Sequence, residues 1–204
     1  GARVRARLSA RYRPTVMDAT PAIIKLAVFA VGGQGGGVLS NWIVEVAERN
    51  GFRAQATSIA GVAQRTGATI YYVEMAEDTG RAPVFALAPS AGDVDILIAA
   101  ELMESGRAMM RGLISPERTT LITSTHRMLA MSEKIVPGNG IADPAPVLAA
   151  GRAAARRYIA LDMEQIAVAA GSVVSASLFG ALAGSAALPF SRESYEATVR
   201  ASGR

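Results

Sequence analysis

Apolar and polar positions fall into short blocks along this chain, and two kinds of block take turns. Ile23 to Val31, IIKLAVFAV, is brief and rich in branched residues, which predicts a buried strand. Gly36 to Asn50 places Val38, Leu39, Trp42, Val46 and Ala47 at helical spacing, and Asn50-Gly51 supplies the stop. Phe52 to Thr57 predicts a second strand, Ser58 to Gly67 a loop, and Ala68 to Met75 a third, edge-like strand. Glu77 to Arg81 reads as a turn. Asp93 to Ala99 is a fourth strand, Glu101 to Arg111 a helix, and Arg118 to Thr125 a fifth strand. Residues 128–143 are irregular, with VPGNG as a loop. Pro144 to Arg157 is an alanine-rich helix, Tyr158 to Leu161 a short strand, and Met163 to Ala170 a helix. Helices over 172–187 and 191–201 close the chain.

Strands separated by helices predict an α/β, Rossmann-like three-layer sandwich with a mostly parallel sheet. Ligands of such folds lie at the C-terminal ends of the strands. Three segments fall there: GGQGGG (32–37), SIAGVAQRTG (58–67) and TSTHR (123–127).

Composition narrows the chemistry. The chain has 204 residues, half of them apolar, enough for one domain, which we place at 21–204. It has no cysteine, which removes thiolate nucleophiles, thiolate zinc sites and iron–sulfur ligation and fits a reducing cytoplasm. His126 is the single histidine. The net charge of +4 comes from residues 1–13, GARVRARLSARYR, which hold five arginines and no acid. The rest is near neutral and shows neither a basic recognition helix nor interleaved aromatics, so nucleic acid is not the expected partner. Residues 1–20 are set outside the fold. Arg-rich starts occur in transit peptides, and the tail also reads as an extension upstream of Met17.

From Gln165 to Ser191 there is no charge, and Gly180 and Gly184 form a GxxxG pair. The run is long enough to span a bilayer, but Ala, Gly and Ser dominate and no aromatic belt or basic flank marks a side. A closely packed helix, in the core or at a subunit contact, is the expectation rather than a membrane span.

The glycine loop excludes two chemistries. The dinucleotide fingerprint G-x-G-x-x-G/A fits in no frame: from Gly33 the third position is Val38, from Gly35 it is Ser40, and from Gly32 the second is Gln34. QATSIAG, after the second strand, also lacks the acid that holds a ribose. No GK[ST] occurs, so a Walker-type phosphate loop is absent. What stays open is backbone chemistry. Glycines admit a ligand or another chain close to the main chain, and a helix N-terminus offers unpaired N–H groups. Tight strand-to-helix packing is the competing explanation. Arg65, in a glycine-flanked loop ahead of Tyr71 and Tyr72, suits a carboxylate or phosphate, or a surface acid. Asp93 and Asp95, at a strand start, read as solvated turn residues. His126 has the chemistry of a general base, but without an evident carboxylate partner it reads as structural. Ser58 and Thr125 complete the candidate set.

The pieces GGQGGGVLSNWI, TSIAGVAQRTGATIYYVEM, GDVDILIAAELMESGRAM, TTLITSTHR and SVVSASLFGALAGSAALPF, in this order, resemble the gamma domain of the 2-oxoacid:ferredoxin oxidoreductases. Within that family they resemble the beta subunit of the indolepyruvate (arylpyruvate) enzymes. The likeness spans about residues 23–200. It implies CoA-dependent oxidative decarboxylation of 2-oxoacids with reduction of ferredoxin. Thiamine diphosphate and iron–sulfur clusters then sit on a large partner subunit, and this chain is inactive alone. It further implies a ligand- or partner-facing role, not a catalytic one, for Gly32, Gly33, Gln34, Gly35, Gly36, Gly37, Gln64, Arg65 and Gly67. A stand-alone nucleotide-binding oxidoreductase and a pure interaction module are the two alternatives.

Overall fold

β1 (Ile24–Ala30) runs through the middle of a six-stranded sheet. Its last five residues are buried, as a strand covered on both faces requires. A computed structural model describes residues 22–59, 69–129, 133, 135 and 141–203. After β1 come α1 (Gly36–Arg49), β2 (Phe52–Ile59), β3 (Thr69–Glu77), β4 (Ile96–Ala99), α2 (Leu102–Met110) and β5 (Thr120–Ser124). The chain continues through α3 (Ala145–Ala154), β6 (Arg157–Leu161), α4 (Met163–Ala169), α5 (Val174–Ser185) and α6 (Arg192–Ala201).

The strand order is β2-β3-β1-β4-β5-β6. β1, β4, β5 and β6 pair in parallel, whereas β3 is antiparallel to both neighbours, β1 and β2. The mostly parallel α/β architecture is therefore as expected, with one reversed strand. Its cause is the connection from β2 to β3. Residues 60–68 are fewer than the dozen or so that a parallel crossover needs, so β3 pairs antiparallel with β2. Two expectations change. β3 is an interior strand between β2 and β1, not an edge, and Ser58 lies within β2 rather than in a loop.

Helices cover both faces. α1, α5 and α6 pack over Leu26, Val28, Val73, Ile96 and Ile98. On the other face Ala108 of α2 lies with Ala27, Phe29, Leu97 and Leu121. On the first face a row of rings joins four elements. Trp42 lies 5.4 Å from Phe179, Phe179 5.0 Å from Tyr195, Tyr195 6.4 Å from Phe190, and Phe190 5.1 Å from Phe52. Where helices leave β2 and β3 bare, residues 84–87 lie across them. Thr57 Oγ1 donates to Leu87 O at 2.8 Å, and the buried Glu74 accepts from Ala86 N and from Tyr72 Oη, each at 2.6 Å.

The uncharged run does not form one rod. α4 and α5 meet at 110°, and among the described residues no single helix is long and apolar enough to cross a membrane. Nor is α5 buried all round. Leu178, Phe179 and Leu182 face the core, while Gly180 and Gly184 are exposed.

Asp93 and Asp95 are not free turn residues. At the N-terminal edge of the sheet Arg118 forks onto Asp95, with Nε donating to Oδ1 at 2.6 Å and Nη2 to Oδ2 at 3.2 Å. Asp93 pairs with both Lys25 and Arg118, and the Lys25 ammonium holds its carboxyl below the usual range. This ion cluster ties β1 to the strand entries on the edge opposite the glycine loop.

Candidate functional site

Two connections define the C-terminal edge at the middle of the sheet: residues 31–35 after β1 and residues 100–101 after β4. One side chain joins them. Gln34 Oε1 accepts from Val31 N at 2.8 Å, and its Nε2 donates to Ala100 O at 3.4 Å. Gln34 is only 6% exposed. Its amide therefore holds the loop closed rather than projecting from it.

The five glycines separate by what surrounds them. A Cβ at Gly36 would meet Tyr71 Cε2 at 2.5 Å and Ala30 Cβ at 2.7 Å, so packing alone excludes a side chain there. Gly37 lies in ordinary contact with the same ring. Gly35 has φ +70 and caps α1, and a Cβ there would sit 2.8 Å from Ser175 Oγ. Gly32 and Gly33 are exposed, and a Cβ at either meets nothing within 4 Å. Gly33 has φ +90, a conformation that glycine adopts without strain. Tight packing thus accounts for Gly35 and Gly36. The outward-facing half of the loop is Gly32 and Gly33.

No side chain caps α1, and its first turn carries no acid. Its leading N–H groups open beside a cleft of about 460 Å³. Gly33, Gly35, Val38 and Trp42 form one wall, and Ser172 and Ser175, before and within α5, form the other. Among the described residues no charged side chain lines it. Unpaired N–H groups in such a setting suit an anion or a carbonyl oxygen.

The other candidates are placed as follows. Gln64, Arg65 and Gly67 lie outside the described residues. Tyr71, four residues after Gly67, is described, and it packs under the glycine loop. Ser58 is exposed on β2 and paired in register with Tyr71. Thr125 is half-buried, its amide donating to Leu161 O at 2.8 Å. His126 holds structure through its main chain. Its N–H donates to Ser124 Oγ at 3.2 Å, and its carbonyl accepts from Leu102 N at 3.1 Å. Arg127 next to it pairs with Glu133 and donates to Ala142 O at 2.7 Å.

Sequence reading missed three groups. Ser175 lines the cleft opposite Trp42, and its only signal in the sequence is its place within the uncharged run. Glu101, at the head of α2, is 2% exposed. Burial pushes its carboxyl above the ordinary range, opposed by the amides of Met103, Met128 and Glu104 and by the charge of Arg127. Glu104, one turn on, is pushed up to about 7 by burial, against the pull of Arg107. Among the described residues no three of His, Asp and Glu gather into a metal-binding group.

The family model for pyruvate ferredoxin/flavodoxin oxidoreductase matches residues 25–204. The chain belongs to this family. Among curated proteins, indolepyruvate oxidoreductase subunit IorB of Thermococcus kodakarensis is 26% identical over 87% of this chain and 85% of its own length. Among solved structures, the gamma subunit of a keto/oxoacid ferredoxin oxidoreductase from Geobacter sulfurreducens has a TM-score of 0.55 at 16% identity. That match covers 86% of this chain and 84% of the other. A 2-oxoglutarate:ferredoxin oxidoreductase from Magnetococcus marinus, solved with 2-oxoglutarate, coenzyme A and succinyl-CoA, has a TM-score of 0.56 at 14% identity. There the match covers 88% of this chain but 27% of the longer one. The gamma-domain fold anticipated from the sequence motifs is thus the fold of this family member.

Proposed function

We propose that the chain is the gamma-type small subunit of an arylpyruvate:ferredoxin oxidoreductase, with indolepyruvate as the representative substrate. It acts together with a larger subunit that carries thiamine diphosphate and the iron–sulfur clusters. In that assembly the 2-oxoacid loses carbon dioxide, its acyl group passes to coenzyme A, and the electrons pass to ferredoxin. The observation that carries the reading is the family match over nearly the whole described fold, joined to the likeness to indolepyruvate oxidoreductase subunits. The donor set agrees with this division of labour. Without cysteine the chain cannot ligate an iron–sulfur cluster, so that chemistry falls to the partner.

The residues of this chain position and present. Gln34 and Tyr71 hold the loop, and Gly32 and Gly33 leave its backbone open. The first turn of α1 then offers N–H groups to an anionic ligand or to carbonyls of the larger subunit. Arg65, in the matching second motif, is assigned to the same ligand by its bidentate chemistry.

Reconstitution tests the reading. The larger subunit is prepared anaerobically with and without this chain, and arylpyruvate- and CoA-dependent reduction of a viologen dye is followed. Activity and co-purification that require the chain support the assignment. A larger subunit that is fully active alone overturns it. Arg65→Ala is expected to lower activity and its dependence on coenzyme A while the chain stays folded, and unchanged kinetics remove the anion role.

A second reading has its own support. Because packing alone explains Gly35 and Gly36, the loop also suits a pure interaction module. Trp42, the only tryptophan, reports on the choice, since it lines the cleft. Coenzyme A that alters its fluorescence in the assembled enzyme favours a ligand site, and an unchanged signal favours interaction alone.

A further inference from the structure

Two helices begin at the cleft beside the glycine loop. The N-cap residue of α1, Gly35, lines one side of it, and that of α5, Val173, lines the other. Neither end has a side-chain cap, and neither first turn carries an acid. Among the described residues the amides of Gly36, Gly37 and Val38, and those of Val174 and Ser175, have no main-chain acceptor. Two positive helix ends on one cleft repel each other unless something negative lies between them.

One side chain is aimed at the gap. Ser175 is 1% exposed, yet its Oγ makes no hydrogen bond among the described residues. It lines the cleft, and it lies so near Gly35 that a Cβ there would come within 2.8 Å of the oxygen. A nearly buried hydroxyl without a partner is uncommon in native structures. Here it can donate to the same group that the amides at the two helix ends would meet.

Charge and shape indicate the occupant. A helix N-terminus is equivalent to about half a unit of positive charge, so the two ends together balance about one negative charge. A carboxylate carries that much, whereas a phosphate monoester carries up to about twice as much. Among the described residues no cation lines the cleft to make up the difference. The loop also fits neither phosphate-binding fingerprint. Beyond the polar end the walls are apolar, with Val38 and Trp42 from α1, Ala176 from α5 and Val199 from α6. At about 460 Å³ the cleft has the size of a small-molecule site.

We infer that the cleft binds a monocarboxylate with an apolar body. Its carboxylate lies between the N-termini of α1 and α5 and accepts from the Ser175 hydroxyl. Its body lies against Val38, Trp42, Ala176 and Val199. The inference narrows the anionic ligand of the reading above and rests on that reading for the ligand-facing role of the loop, but every group it uses belongs to this chain.

Phenylacetate is the probe, and the emission of Trp42 in the full chain is the readout. A saturable change with a Kd of about 1 mM or tighter is expected. Phenylacetamide, of the same shape but uncharged, is expected to give none. Ser175→Ala should weaken binding about tenfold, as loss of one hydrogen bond to a charged group does. Val173→Asp places a carboxylate at the N-cap of α5, a position that favours it. Val173 is 62% exposed, so this variant should melt no lower than the unmodified chain, and it should lose the probe. If phenylacetate gives no saturable response, or if both variants bind it like the unmodified chain, the inference is overturned. If inorganic diphosphate binds more tightly and displaces phenylacetate, the ligand bears phosphate, and the carboxylate is excluded while the anion role of the loop stands. If the assembled enzyme does not bind the probe that the free chain binds, the larger subunit fills the cleft and the inference falls. A larger subunit that works without this chain removes the two-subunit reading, and the probe still decides the inference, because the titration uses this chain alone.

Discussion

Tyr71 of β3 packs against Gly36 at the start of α1, so close that a single methyl group at position 36 would come within 2.5 Å of its ring. This contact joins the two motifs that stand out in the sequence. The strand after the QRTG segment supplies the ring on which the glycine loop rests. Gly36→Ala is therefore expected to destabilise the chain by about 1–3 kcal/mol through overpacking. Gly32→Ala, with open space around it, is expected to change stability by less than about 0.5 kcal/mol. Denaturant midpoints of the two variants check the contrast, and equal midpoints would remove the packing role of Gly36.

Gln34 bridges the ends of β1 and β4 through two hydrogen bonds made by one buried amide. Gln34→Leu keeps the volume but leaves the Val31 N–H and the Ala100 carbonyl without that partner. Loss of about 1–3 kcal/mol is expected, because a buried donor left unmade carries its full desolvation cost. Thermal unfolding measures it. Activity of the assembled enzyme should fall as well, since the loop no longer holds its place over the cleft.

Glu104 predicts a pH dependence. Its carboxyl is pushed up to about 7 in the folded chain, well above the unfolded carboxylate value. Between those two values the folded chain binds more protons than the unfolded chain. Its contribution to stability is therefore fully present below the unfolded value and is lost as pH rises to about 7. Glu104→Gln removes this dependence and is expected to be more stable than the unmodified chain at pH 8, by on the order of 2 kcal/mol, with the gap closing near pH 5. Unfolding curves across that range decide it, and a gap that does not change with pH would exclude Glu104 as the titrating group.

Tyr195→Phe tests whether the buried hydroxyl of Tyr195 is unpaired in the folded chain. Removing a buried hydroxyl that has no partner among the described residues should stabilise the isolated chain by about 1 kcal/mol. Thermal unfolding measures it, and a less stable variant would show that the hydroxyl is satisfied within the chain.

The sequence by itself determined the order and type of nearly every element, because period and composition are local. IIKLAVFAV marks a doubly covered strand wherever it sits, and Asn50-Gly51 stops α1 by its own backbone preference. It also determined the family, through the glycine loop and the pieces around it, and it excluded cluster ligation through the lack of cysteine. The tertiary structure alone decided what depends on distance between remote residues. β3 is reversed because the nine residues after β2 are too few to cross over, a length visible in the sequence, and it is interior because it also pairs with β1, which the sequence does not show. Asp93 and Asp95 became an ion cluster only once Lys25 and Arg118 were brought beside them. The glycines, alike in sequence, divide into packed and open ones because Tyr71 and Ser175 approach some and not others. Burial and packing are sums over the whole fold, and no local pattern contains them.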